Sequence, residues 1–102
     1  MTSELALSDD ELAAVRQILR EQLPPDISVH VFGSRAGGRV KPWSDLDLVL
    51  EASGALPIAL LGALAEAFEE SELPWKVDLI DRKSASAEFG RLIDQSKVAL
   101  IA

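Results

Sequence analysis

Apolar residues recur along the chain at two spacings, which predict helices and strands. Over residues 8–23 they follow the helical period, and Ser8 with Glu11 forms a capping-box pair at the start. A pair of prolines ends this helix. The β-branched and aromatic run at residues 27–32 predicts a first strand.

A second strand is predicted at residues 46–50, where apolar and acidic residues alternate. Because side chains of a strand point to opposite faces in turn, the leucines share one face. The other face carries Asp45, Asp47 and Val49. This strand therefore has an apolar face for a core and an acidic face that is free for another use.

Two further helices and one further strand complete the pattern. Helical spacing covers residues 57–70 and 84–95, and the last helix is expected to direct Phe89, Leu92 and Ile93 inward. Residues 75–80 predict a strand that begins with a core tryptophan, Trp75. Residues 98–101 are apolar and fit either an extended or a loosely helical chain. The order of elements predicts an α/β unit with a small mixed sheet.

Size and composition predict one small folded domain spanning residues 1–102. Nearly half of the 102 residues are apolar, and there is no cysteine to form a disulfide or a thiolate metal site. The acidic N-terminal stretch does not resemble a secretion signal, and the longest apolar run, residues 56–65, is too short to cross a bilayer. We therefore expect a cytoplasmic protein with no membrane contact.

The net charge of −7 argues against nucleic acid as a direct partner, since proteins that follow a phosphate backbone usually carry a basic face. Positive charge is concentrated in one place. Arg35, Arg39 and Lys41 lie in the seven residues after Ser34. Such a group suits a small polyanion, although a solvated loop would show the same composition.

Asp45 and Asp47 are the strongest candidates for chemistry. Residues i and i+2 of a strand project from one face about 7 Å apart, so the two carboxylates are expected to converge. Like charges held together are costly unless a cation lies between them. Mg²⁺ prefers a few carboxylates together with phosphate oxygens and water.

A third carboxylate is expected from Asp78, which lies within the apolar strand at residues 75–80. Asp is disfavoured inside strands and is rarely buried without a partner. A structural Asp78 that bonds backbone N–H groups is the alternative. Asp81 is the rival ligand, but it follows the strand, where an Asp commonly starts a turn or caps a helix.

Gly33 and Ser34, separated from Asp45 by ten residues, predict a phosphate-binding turn at the end of the first strand. Gly allows backbone N–H groups to approach an anion closely, and a Ser hydroxyl can donate to a phosphate oxygen. Arg35 and Arg39 could neutralise the remaining phosphate charge. Together with metals held by carboxylates, this arrangement fits in-line attack of a hydroxyl on the α-phosphorus of a nucleoside triphosphate.

These motifs resemble the DNA polymerase β-type nucleotidyltransferases. The stretch VFGSRAGGRVKPWSDLDLVL, followed by a strand Asp, is similar to the signature of their minimal nucleotidyltransferase (MNT) branch, and the resemblance covers essentially the whole chain. It implies a three-stranded mixed sheet flanked by helices, with ATP as substrate and two Mg²⁺ ions. By this resemblance Asp45, Asp47 and Asp78 are the catalytic metal ligands, and Gly33 and Ser34 hold the triphosphate.

The resemblance also implies a partner. MNT proteins often serve as antitoxins of HEPN-domain toxins and transfer AMP to a toxin tyrosine, which predicts a hetero-oligomer. This chain departs from the family at Gly37, where an arginine commonly helps to hold the triphosphate; Arg35 and Arg39 are the candidates to replace it.

Two other functions fit the same residues. One is a non-catalytic antitoxin that neutralises its partner by forming a complex. The other is a small-molecule nucleotidyltransferase of the aminoglycoside-modifying kind that needs a helper subunit. A protein acceptor is favoured, because the predicted catalytic unit occupies nearly the whole sequence and positioning of the acceptor must then come from elsewhere.

Overall fold

A computed structural model describes residues 7–36, 44–54 and 56–101 of the chain, with the side chains of residues 34, 36 and 101 excepted. Three helices and four strands follow one another in this order: α1 Asp9–Gln22, β1 Ser28–Phe32, β2 Leu46–Glu51, α2 Ile58–Glu69, β3 Val77–Asp81, α3 Ala87–Ser96 and β4 Val98–Ile101. A 3₁₀ turn, Gly33–Ala36, follows β1, and a second, Arg82–Ser84, follows β3. The predicted α/β class is confirmed.

The four strands form one mixed sheet in the order β3-β2-β1-β4. β1 runs antiparallel to β2 and β4, whereas β2 and β3 are parallel neighbours. The parallel pair is possible because α2 supplies the long crossover between them. The sheet has one strand more than the resemblance implied, since residues 98–101 pair with the free edge of β1 as β4.

α1 and α2 cover one face of the sheet and enclose the main core. The capping box predicted at the start of α1 is present, with the Ser8 hydroxyl accepting from Glu11 N and the Glu11 carboxylate accepting from Ser8 N. Fully buried residues of both helices and both central strands form the core, among them Val15, Leu19, Val29, Val31, Leu46, Leu48, Leu50 and Leu64. The leucine face of β2 therefore packs as its alternation predicts.

α3 lies on the opposite face and covers only part of it. Ile93 is fully buried as predicted, but Phe89 is 36% exposed and Leu92 is 58% exposed, so the prediction that both point inward is wrong. The buried positions of α3 are Gly90 and Ile93, and Phe89 lies at the border, where its ring meets Phe32 edge to face at 5.6 Å.

The boundaries of the last strand and helix also differ from the prediction. β3 begins at Val77, and Trp75 is buried just before it. α3 begins at Ala87, because Ser86 caps it through Phe89 N. Within the described residues, no helix has the length and apolar character needed to span a bilayer.

Candidate active site

Gly33 ends β1 in a conformation that few other residues adopt. Its φ of +83° lies in the left-handed region, where a Cβ atom is strained. A Cβ at this position would also lie 2.7 Å from Oδ2 of Asp47, closer than real side chains approach. Glycine therefore lets the chain turn sharply directly beside the Asp47 carboxylate. Gly33 of the predicted phosphate-binding turn thus lies against Asp47 of the predicted acidic site.

Asp47 and Asp78 are direct neighbours across the parallel pair β2–β3. Asp47 is half-buried and Asp78 is exposed. Burial raises the pKa of Asp47 to about 6, and the charges of Asp78 and Asp45, together with a hydrogen bond to Asp78, act in the same direction. The surroundings of the Asp47 carboxylate thus disfavour its negative charge, as expected for a group that binds a cation.

Asp45 lies one residue before β2 and is exposed. It is close enough to Asp47 to raise the pKa of that carboxyl. Within residues 7–36, 44–54 and 56–101, however, no three or more acidic, His or Cys side chains are already gathered tightly enough to hold a metal ion. The three aspartates share one end of the sheet without forming a closed cage, and their role as ligands stays a prediction.

The donor set nevertheless fits a magnesium site. All three groups are carboxylates, which Mg²⁺ favours, and an open set suits an ion that keeps water and phosphate oxygens among its ligands. Burial and the neighbouring carboxylates raise the pKa of Asp47, and a bound cation would offset this cost of its negative charge.

Asp81, the rival of Asp78, has a structural position. Its Oδ1 accepts from Lys83 N at 3.1 Å and its Oδ2 accepts from Leu56 N at 3.3 Å. These bonds cap the 3₁₀ turn after β3 and tie it to the chain before α2. An Asp at the end of this strand therefore serves as a cap, which is the role that its sequence position favours.

The predicted basic group is described only at Arg35. This side chain is 4% exposed, and its Nε and Nη2 atoms donate to the carbonyl of Ser44 at 3.0 and 2.9 Å. Its guanidinium carbon also lies 4.6 Å from the centroid of the Trp75 ring. Arg39, Lys41 and Gly37 lie outside the described residues, as does the side chain of Ser34, so their assignment to the triphosphate stays a prediction.

Two features of the site were not anticipated from the sequence. Phe32 lies opposite Asp47 in the β1–β2 register, and the ring of Phe89 meets Phe32 edge to face. The contact of Arg35 with Ser44 and Trp75 was also missed. A backbone carbonyl gives no sequence signal, and an arginine followed forty residues later by a tryptophan has no recognisable spacing.

Comparison with known proteins gives a consistent assignment. A family model described as a nucleotidyltransferase domain matches residues 12–101. A probable protein adenylyltransferase MntA of Haemophilus influenzae is 43% identical over 102 residues, covering 98% of this chain and 89% of the relative.

Solved structures share the fold. A toxin–antitoxin crystal structure with AMP-PNP superposes with a TM-score of 0.69 at 27% identity, covering 87% of this chain and 71% of the other. The complex of a tri-AMPylated Shewanella oneidensis HEPN toxin with its MNT antitoxin gives a TM-score of 0.65 at 24% identity, covering 87% and 67%, a similarity that shows the fold alone. The prediction from the sequence motifs is confirmed, and the chain belongs to the nucleotidyltransferase domain family, in its minimal nucleotidyltransferase branch.

Proposed function

We propose that this protein transfers AMP from ATP to a hydroxyl group, that of a tyrosine, on a HEPN-domain toxin and thereby acts as a cytoplasmic antitoxin. The observation that carries the proposal is the carboxylate pair Asp47 and Asp78, which lies beside the left-handed turn at Gly33 in a chain of this family. The name of the Haemophilus influenzae relative and the AMP-PNP bound in a related toxin–antitoxin structure support the same chemistry.

In this proposal each site residue has a defined task. Asp45, Asp47 and Asp78 would hold Mg²⁺, which would neutralise phosphate charge and polarise the phosphoryl group. The turn at Gly33 and Ser34 directs backbone N–H groups at the triphosphate. Asp78, exposed at the edge strand β3, accepts the proton of the attacking hydroxyl. The acceptor oxygen bonds to the α-phosphorus, and pyrophosphate leaves with the electrons of the broken P–O bond.

A tyrosine acceptor is supported by the two aromatic residues Phe32 and Phe89. Phe32 lies opposite Asp47, and its partner Phe89 keeps 36% of its surface exposed. Aromatic rings favour edge-to-face contact with one another, so this border is suited to receive a phenol ring and align its oxygen. Alignment of this kind accounts for a large part of the rate in phosphoryl-type transfer.

The test uses ATP labelled at either the α- or the γ-phosphate. We expect the isolated HEPN partner to become labelled from α-labelled ATP in the presence of Mg²⁺, and to stay unlabelled from γ-labelled ATP or when EDTA is added. Asp45→Asn with Asp47→Asn should abolish labelling. Asp26→Asn, at an exposed position away from the sheet end, is the matched control and should label normally.

Three outcomes would contradict the proposal. Equal labelling by the double variant would remove the carboxylates from the chemistry. Neutralisation of the toxin without any AMP transfer would instead establish the non-catalytic antitoxin, and AMP transfer to a free aminoglycoside but not to the toxin would establish the small-molecule enzyme.

A further inference from the structure

Arg35 is the only charged side chain classed as buried among the residues that the structure describes. Removing a guanidinium from water is costly unless its hydrogen bonds and charge are compensated. The Ser44 carbonyl and the face of the Trp75 ring supply part of this compensation. A side chain that is 4% exposed presents little surface to a bound nucleotide.

The three groups joined by this contact belong to the three elements that carry the active site. Arg35 lies in the 3₁₀ turn that begins with Gly33, Ser44 directly precedes Asp45, and Trp75 lies just before β3. Close to this point the starts of β2 and β3 are also tied together, because Leu46 N donates to the Lys76 carbonyl at 2.8 Å. Arg35 therefore connects the glycine turn to both acidic strands at once.

We propose that Arg35 is a positioning residue that fixes the distance between the phosphate-binding turn and the aspartates, and that it does not itself contact the nucleotide. The inference rests on the proposed AMP transfer for its effect on rate. The planar guanidinium is required, since two donors in one plane reach a single carbonyl while the same plane stacks on a ring. A lysine would keep the charge but has no planar group that can give two hydrogen bonds to the Ser44 carbonyl while stacking on the Trp75 ring.

The test compares Arg35→Lys with variants of the ring. Arg35→Lys should slow AMP transfer roughly 10- to 100-fold, mainly in kcat, because small displacements of reacting groups have effects of this size. Trp75→Leu should lower kcat in the same way, whereas Trp75→Phe, which keeps an aromatic face, should stay within a few-fold of wild type. The double variant Arg35→Lys/Trp75→Leu should be less impaired than the product of the single effects.

Two controls separate positioning from loss of stability. Val15→Ala removes volume from the core on the other face of the sheet and should lower the melting temperature with kcat unchanged. Arg20→Lys, at an exposed position on α1, should change neither quantity. All rates are to be measured well below the melting temperature of the weakest variant.

A readout that does not depend on catalysis keeps the inference testable if the proposed function fails. Amide hydrogen exchange measured by NMR should become faster in Arg35→Lys at residues 33–36 and 44–47, and stay unchanged in Arg20→Lys. If the wild-type protein transferred no AMP, the proposed function would be overturned. The comparison of amide exchange between Arg35→Lys and wild type would still decide whether Arg35 positions the turn.

Two results would overturn the positioning role. The first is an Arg35→Lys protein with wild-type kcat and wild-type exchange. The second is an Arg35→Lys protein that loses affinity for ATP alone while Trp75→Leu is normal, which would make Arg35 a direct phosphate ligand.

Discussion

Gly33→Ala tests the close approach between Gly33 and the Asp47 carboxylate in the candidate active site. Two effects act at this position: a non-glycine residue at φ +83° is strained, and the added Cβ would meet Asp47 Oδ2 at 2.7 Å. The strain of the left-handed conformation costs about 1–2 kcal/mol. To reach ordinary van der Waals contact at 3.4 Å, the carboxylate or the turn must move by about 0.7 Å.

Both effects can be measured. A loss of about 1–2 kcal/mol should lower the melting temperature by roughly 4–8 °C for each kcal/mol in a domain of this size. Displacement of Asp47 should slow AMP transfer by roughly 10- to 100-fold. Circular dichroism melting and labelling with α-labelled ATP measure the two effects separately.

Gly62→Ala is the matched control, because the chain offers the same substitution in a neutral setting. Gly62 lies within α2, and a Cβ there would meet no atom within 4 Å. It should raise the stability by up to about 1 kcal/mol, since alanine favours a helix interior over glycine, and leave the rate unchanged. If Gly33→Ala melted and labelled like Gly62→Ala, the argument for a close contact at the active site would be refuted.

Three further predictions concern charge and capping. Because the pKa of Asp47 is raised to about 6, the folded chain keeps a proton between pH 4 and pH 6 that the unfolded chain releases. The stability of the metal-free protein should therefore decrease as the pH rises from 4 to 6, by about 1 kcal/mol after allowance for solvent screening. Asp47→Asn should remove this fall, and Mg²⁺ with ATP should raise the melting temperature of wild type only; an apo Asp47→Asn protein clearly less stable than wild type at pH 7 would make the residue structural. Burial lowers the pKa of His30, the charge of Glu51 opposes this effect, and the charge of Lys97 lowers the pKa further. Lys97→Met should therefore raise this pKa, which NMR can follow because His30 is the single histidine; an unchanged value would contradict the coupling. The contribution of His30 to stability should decrease as the pH falls below 6.5, where the unfolded chain gains a proton that the folded chain resists, and it opposes the contribution of Asp47 over the same pH range. Ser8→Ala removes the capping bond to Glu11 and should cost about 1 kcal/mol in urea unfolding.

Local features of the fold were predictable because their causes are local. The capping box at Ser8 and the alternation of leucines in β2 depend on residues within one turn or one strand, and the structure shows both. The pairing of β4 with β1 depends on a free sheet edge far away in the sequence, and a short apolar run does not reveal that edge. Phe89 and Leu92 were placed wrongly because helical spacing does not show how much sheet lies beneath a helix.

The same distinction holds at the active site. Gly33, Asp47 and Asp78 could be singled out because glycine after a strand and aspartate within a strand are unusual on their own. Their closeness is consistent with the register of β2 and β3 and with the φ of Gly33. The burial of Arg35 could not be predicted, since its partners are a carbonyl nine residues away and a ring that only the folded sheet brings near.

The most direct measurement is a crystal structure of the protein grown with Mn²⁺ and AMP-PNP, with anomalous diffraction recorded to locate manganese. We expect manganese bound by carboxylate oxygens of Asp45, Asp47 and Asp78, and the triphosphate lying against the backbone at Gly33. Manganese absent from these aspartates, or a nucleotide bound away from the glycine turn, would contradict the account.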